Sequence, residues 1–298
     1  MTALERFASV ARPRPPTTDA ASVRRLWPRL LAHRGFRAGL VLMLLLLGLA
    51  VFGPFIAPHE PNWPDYSATL QPPSAAHWLG TDATGRDLLS RMLDGAHRSL
   101  AAAVLVLATI FAIGMVVGTT AGLVGGMVDT LLMRLVDVMM TLPGLVLAFA
   151  IMGILGPGFI NLLLALVIAD WAYYARLARS LTLTARNRPD VVAARMAGIS
   201  RGKILFGHIL PGVALQLAVV ATLGMGGMIG AISGFSFLGL GVQPPYAEWG
   251  ALLADSRFYF PIAPWLLIVP AVAIFFSVLA ANLIGNGLRD VLEPRGRS

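Results

Sequence analysis

The chain has 298 residues, 57% of them hydrophobic and 13% charged, with a mean hydropathy of +0.75. Soluble domains carry about 25% charged residues, so this composition excludes an ordinary water-soluble globule and points to a protein that lives in lipid. The formal charge of +8 invites a nucleic-acid reading, but nearly all of it falls on one side of the membrane. With no Cys, disulfides, thiolate metal sites and Cys nucleophiles are excluded.

Residues 1–22 are rich in Pro, Ala, Thr and Arg without an apolar period and read as a disordered tail. Residues 23–37 mix five Arg with Leu26, Trp27, Leu30 and Leu31, a pattern that suits an anionic bilayer surface or a charge anchor for the first span. The uncharged run over 38–56 is long enough to cross the hydrocarbon core and too extended for a cleaved signal peptide. Further spans follow at about 100–124, 131–155, 159–176, 212–233 and 264–288, each near the ~20 residues that a crossing needs. The fold class is therefore an all-α membrane protein with six transmembrane helices. Its parts are a tail and basic segment over 1–37, a first span over 38–56, and an external loop over 57–99. A core of five spans over 100–290 contains a loop at 177–211, and a short tail covers 291–298.

Lys and Arg set the orientation. With the N-terminus in the cytoplasm, the inner side holds the tail arginines, Arg134, the cluster from Arg176 to Lys203, Arg289, Arg295 and Arg297. Only Arg86, Arg91, Arg98 and Arg257 stay outside. Both termini and the 177–211 loop are then cytoplasmic.

In the external loop, five prolines from Pro58 to Pro73 prevent regular structure. Asp82 or Thr84 then starts a short amphipathic helix, supported by an Asp87–Arg91 pair one turn apart. Arg134 and Asp137 share a face of the third span. An interfacial ion pair is preferred there to a polar contact at an inner gate, and Pro143 with Gly144 bends the helix. Asp170 precedes Trp171, Tyr173, Tyr174 and Arg176, an interfacial girdle that favours a structural role over substrate binding. Gly224, Gly226, Gly227, Gly230 and Gly234 in the fifth span read as a helix-packing surface, or as room for a lumen between subunits. The segment after Ser233 is broken by Pro244, Pro245, Pro261 and Pro264, so it sits in the interface or folds back as a gate. Asn282 and Asn286 in the last span need interhelical partners.

The stretch Asp190 to Pro211, DVVAARMAGISRGKILFGHILP, is polar and basic yet patterned to fold. Asp190 suits the cap of a short helix over 191–197, Gly198 the left-handed residue that ends it, and Ser200 the cap of a second short helix reaching Pro211. Small Ala193, Ala194 and Ala197, beside Val192 and Arg195, leave a slim surface that another body can approach. Two stub helices at a membrane face read as a docking knob.

This stretch resembles the cytoplasmic coupling loop of ABC-importer permeases. Ala193, Ala194, Gly198, Leu210 and Pro211 keep that pattern, while Val192 stands where the family usually has Glu. Leu79 to Asp82, Gly85 to Asp87 and Ser90-Arg91 resemble the dipeptide, oligopeptide and nickel permeases, as do FLGLGVQPP and Glu248 to Gly250. The resemblance implies a type I ABC importer permease fold with a cytoplasmic coupling helix in a prokaryotic inner membrane. It implies a paralogous permease partner, two ATPase subunits and an extracytoplasmic substrate-binding protein. The implied cargo is di- or oligopeptides, with nickel chelates, glutathione and haem as alternatives.

No engine is visible in the chain. GISRGK is one residue short of a phosphate loop and is followed by Ile204 rather than a hydroxyl residue. His33, His59, His77, His97 and His208 are scattered between opposite membrane sides, so neither a metal nor a cofactor is expected. A stand-alone secondary transporter would show an inverted repeat and a midplane ionisable residue, and neither is seen.

Overall fold

The computed structural model describes residues 27–292, so the expected tail over 1–22, Arg295 and Arg297 lie outside the described residues. Residues 27–32 are helical, with Trp27 exposed and Leu30 buried, and lead through His33 into helix α1, Arg34–Ile56. The His33 ring accepts from the Phe36 N–H at 3.2 Å and caps that helix. Among the described residues the only β pairing is an isolated bridge between Thr81 and Asp87.

Helix α2, Leu88–Val124, runs unbroken for 37 residues. At 1.5 Å per residue that is about 55 Å, well beyond the ~30 Å hydrocarbon core. Its first turns therefore stand outside the membrane, and the amphipathic segment read within the external loop is the start of this helix. Asp87 is its cap: Oδ2 accepts from the Ser90 N–H and Ser90 Oγ, each at 2.8 Å. The expected Asp87–Arg91 pair does not form, because capping turns the carboxylate toward the free N–H groups instead.

Where the third span is expected, the chain forms two helices, α3 (Gly126–Met139) and α4 (Gly144–Leu155), bent by 81°. Pro143 sits at the N-cap of α4, so the bend expected there is present and sharp. Helix α5, Phe159–Ala185, leads to the short α6, Pro189–Met196. Then α7 (Arg201–Ile204), a π turn (Leu205–Ile209) and α8 (Leu210–Phe237) form one continuous rod. Helix α9, Trp249–Ser256, folds back against α8 and α10, and α10 covers Trp265–Leu292. Among the described residues, five helices are long and apolar enough to cross a membrane, or six if the bent pair counts as one broken span.

The most extensive interface joins α2 to α5. It follows a stripe at four-residue spacing, Gly114, Gly118 and Gly122. A Cβ at Gly118 would lie 2.2 Å from the Ala175 carbonyl oxygen, and one at Gly114 would lie 2.5 Å from Tyr174 Cβ. Lipid supplies no hydrophobic force between helices, so close backbone approach is what binds them. Ion pairs strap α3 onto the same helix: Asp129 takes a two-pronged Arg179 at 2.5 and 2.6 Å, and Asp137 takes Arg176. The expected Arg134–Asp137 pair is replaced by this link to α5, and Arg134 is exposed.

Substituting Gly118→Val should destabilise the seam by at least the roughly 1–3 kcal/mol typical of overpacking. The readout is the melting temperature and monodisperse yield of the solubilised chain. Gly153→Val is the control, because a Cβ there meets nothing, and it should leave both unchanged.

Candidate functional site

The loop after α5 folds as a compact hook. Arg188 occupies the cap position of α6 and Pro189 its first residue, so Asp190 lies inside the first turn rather than at the cap. Pro is favoured there because its missing N–H has no helical partner to lose. The Asp190 carboxylate takes Arg188 Nε at 3.0 Å and Nη2 at 2.9 Å, with His208 Nδ1 at 3.9 Å. A carboxylate in a first turn also complements the helix dipole.

The far end of α6 closes as expected at Gly198, whose φ is +74°. The Gly198 N–H donates to the Arg195 carbonyl and the Ile199 N–H to the Ala194 carbonyl, both at 3.1 Å, the paired bonds of a Schellman turn. Val191 and Ala194 face inward and join the main apolar core with Ile204 and Ile209. The slim surface therefore excludes Ala194. It consists of Val192, Ala193, Arg195, Met196 and Ala197, with Met196 84% exposed, and Phe206 stands out nearby at 69%.

Ser200 occupies the cap position of α7 but its side chain makes no capping bond. The second stub does not stop at Pro211. Leu210 donates to the Leu205 carbonyl in the π turn, and the helix continues. Pro211 lacks an N–H and would clash with the carbonyl four residues back, and a widened turn accommodates it. The hook is thus braced by α5 on one side and by a rigid helix on the other. Arg186 Nη1 donates to the Gly122 carbonyl at 2.9 Å, fixing the base of the hook to the end of α2.

Of the other expected polar residues, Asp170 brings Oδ1 to 2.9 Å from where a Cβ of Gly144 would be, at the N-terminus of α4. That position suits a carboxylate beside free helix N–H groups. Asn282 lies against Gly226 of α8. The fifth-span glycines divide: a Cβ at Gly224 or Gly226 would meet Tyr174 or Asn282, whereas one at Gly227, Gly230 or Gly234 would meet nothing within 4 Å among the described residues. A cavity of about 770 Å³ opens between α5 and α8, lined by Tyr173, Tyr174, Leu177, Gln216, Val220, Gly224 and Arg289 among others.

On the opposite face a buried arginine joins three segments. Arg91, 1% exposed, donates to the carbonyls of Pro61 at 3.2 Å and Pro245 at 3.3 Å. It also lies 3.4 Å from Asp82 and 3.9 Å from Asp255. Asp82 organises the preceding turn through Thr84 and Arg86. Burial pushes the Asp82 carboxyl up, but Arg91, Arg86 and Thr84 outweigh it and hold it below the usual value of 3.8. Burial raises Asp255 against the opposing pull of Arg91. Glu248, fully buried, caps α9 by accepting from Ala251 N–H at 3.1 Å and takes Ser99 Oγ of α2 at 2.8 Å. The GTD, GRD, SR and EWG segments, the last more than 150 residues from the others, are thus parts of one clasp.

Residues 114–298 match the family described as binding-protein-dependent transport system inner membrane component. Residues 23–73 match the N-terminal TM domain of oligopeptide transport permease C. The chain is 40% identical over 258 residues to the nickel transport system permease protein of Escherichia coli K12, covering 87% of this chain and 93% of that one. It is 40% identical to the di/tripeptide transport system permease protein of Pseudomonas aeruginosa, covering 94% and 95%. It is 41% identical to the glutathione transport system permease protein of Pectobacterium atrosepticum, covering 92% of each.

Arg91→Ala should weaken the clasp by about 3–5 kcal/mol, the loss typical when a buried ion pair keeps one member. Proteolysis of the 57–87 loop in intact vesicles measures it, with faster cleavage expected. Because the Asp82 carboxyl is held below its usual value of 3.8 in the folded state, its contribution is present above that value and is lost as pH falls through the folded one. Loop protection should therefore persist at pH 5 and fail only under stronger acid, and Asp82→Asn should abolish that acid transition.

Proposed function

The chain belongs to the family of binding-protein-dependent inner membrane transport components, the permease subunits of ABC importers, and on that premise we propose that it imports peptides. The multi-pass body contributes no catalysis. ATP hydrolysis falls to two ATPase subunits, and an extracytoplasmic binding protein delivers the cargo. The N-terminus, the C-terminus and the hook are cytoplasmic, in line with the arginine distribution.

One observation carries the mechanism: α6 is a closed turn of helix whose inner face belongs to the transmembrane core and whose outer face is bare. Val192, Ala193, Arg195, Met196 and Ala197 are the proposed contact to an ATPase cleft. Val192 stands at the family's usual Glu position and makes that contact apolar. When the ATPases close on ATP, the hook moves with them. The α5 and α8 rods carry the displacement into the spans and switch them from inward- to outward-facing. Gly227, Gly230 and Gly234 leave a flat strip on α8 for the partner permease, in line with a heterodimer. The cavity beside Gln216 and Arg289 forms part of the path.

The peptide reading rests on the resemblance, on the di/tripeptide relative and on a cavity lined mainly by apolar side chains, which suits cargo of varied side chains. Nickel and glutathione are the competing cargoes by relationship. Uptake of labelled dipeptide, glutathione and nickel into vesicles holding the full importer separates the three. ATP-dependent dipeptide accumulation is expected, and accumulation of nickel or glutathione alone would reject the peptide reading.

Gly198→Val should uncouple the machine. A side chain at φ +74° costs roughly 1–2 kcal/mol, enough for an uptake loss on the order of tenfold, while insertion stays normal. Unchanged uptake per ATP hydrolysed would reject the hook as the coupling element.

A further inference from the structure

Two histidines far apart in sequence meet at the outer start of α2. His77 Nδ1 lies 2.9 Å from Asp87 Oδ1, and His59 Nδ1 lies 3.7 Å from the same oxygen. The two rings are 4.7 Å apart, and one ligand atom from each of the three residues falls within 4.8 Å of the others. The expectation of scattered histidines fails because the proline-rich loop doubles back over the helix start.

We propose that His59, His77 and Asp87 form a binding site for a divalent transition-metal ion that pins the external loop to α2. Metal–ligand bonds of about 2.0–2.1 Å in a tetrahedral site put donor atoms about 3.3 Å apart. The separations from the Asp87 oxygen, 2.9 and 3.7 Å, bracket that value. The donors are also held from behind. Asp87 Oδ2 is fixed by Ser90 N–H and Oγ, and that same Ser90 Oγ accepts from the His59 N–H at 3.1 Å. Backbone bonds of the Ser74–Gly80 turn fix His77. Supporting contacts of this kind orient metal ligands.

Burial is graded. The Asp87 and His77 side chains are 1% and 15% exposed and His59 43%, so an ion would enter past His59 and keep an open position toward solvent. Two imidazoles and one carboxylate suit zinc, nickel or copper. Magnesium and calcium need several oxygen donors, and only the carboxylate supplies them here. The helix N-terminus opposes any cation, which Asp87 offsets, and this favours ions with strong imidazole bonds.

The test uses the full chain in lipid nanodiscs, without a polyhistidine tag, dialysed against zinc alone. One saturable ion per chain is expected, with affinity falling about tenfold or more in His59→Ala. His59 is half exposed, so that variant should melt like the parent when metal-free. His97→Ala should bind as the parent does. Cobalt should give the visible bands of a four-coordinate ion in the parent and lose them in His59→Ala. Equal zinc affinity in the parent and His59→Ala, or no saturable binding, would overturn the site and leave His77 and Asp87 as a hydrogen-bonded helix cap only.

Discussion

The contact of α2 with α5, backbone against backbone along Gly114, Gly118 and Gly122, is the constraint on which the rest of the molecule depends. Helices in lipid gain little from burying apolar side chains against one another, and what holds them is close packing and internal polar ties. A glycine stripe gives the closest packing available. Asp129–Arg179 and Asp137–Arg176 then fasten α3 to the same helix. The result is a stiff unit in which a push at one end is not absorbed by side-chain repacking.

That unit reaches both ends of the protein. Helix α2 enters the clasp at its start, where Arg91 gathers Pro61, Asp82 and Pro245. Near its end, the Gly122 carbonyl receives Arg186 at the base of the hook. One rod about 55 Å long thus links the two ends of the molecule, the clasp and the hook. The two ends are built differently. The clasp is a buried polar network, rigid and specific in its partners. The hook is a short helix whose exposed face carries small and apolar side chains beside Arg195.

Much of this was readable in the residues. Apolar runs mark the spans, Pro143 the bend and Gly198 the left-handed turn, since each is decided by local chemistry. The errors share a cause. Asp190 looked like a cap until Pro189 was allowed the first helical position. Asp137 was paired with its neighbour on the helix, when its partner Arg176 sits on another. The π turn before Pro211 keeps the rod continuous where a chain reading inserts a stop. His59 and His77 meet only because the loop between them, which includes a short 3-10 turn at Tyr66–Ala68, folds back over the helix start. The Gly114, Gly118 and Gly122 spacing, by contrast, is plain in the sequence, and it packs a helix seam more closely than the denser glycines of α8, three of which leave room for a Cβ among the described residues.

The account stands on the bare outer face of α6 being the point where force enters. Its most direct measurement is site-specific cross-linking from Met196→Cys, an exposed position on that face, to a cysteine in the cleft of the partner ATPase. The assembled importer would be sampled through its ATP cycle in native membranes. The account predicts efficient capture of the ATPase from position 196 and none from Ala194→Cys, which points into the core. Capture from neither position, or equal capture from both, would contradict it.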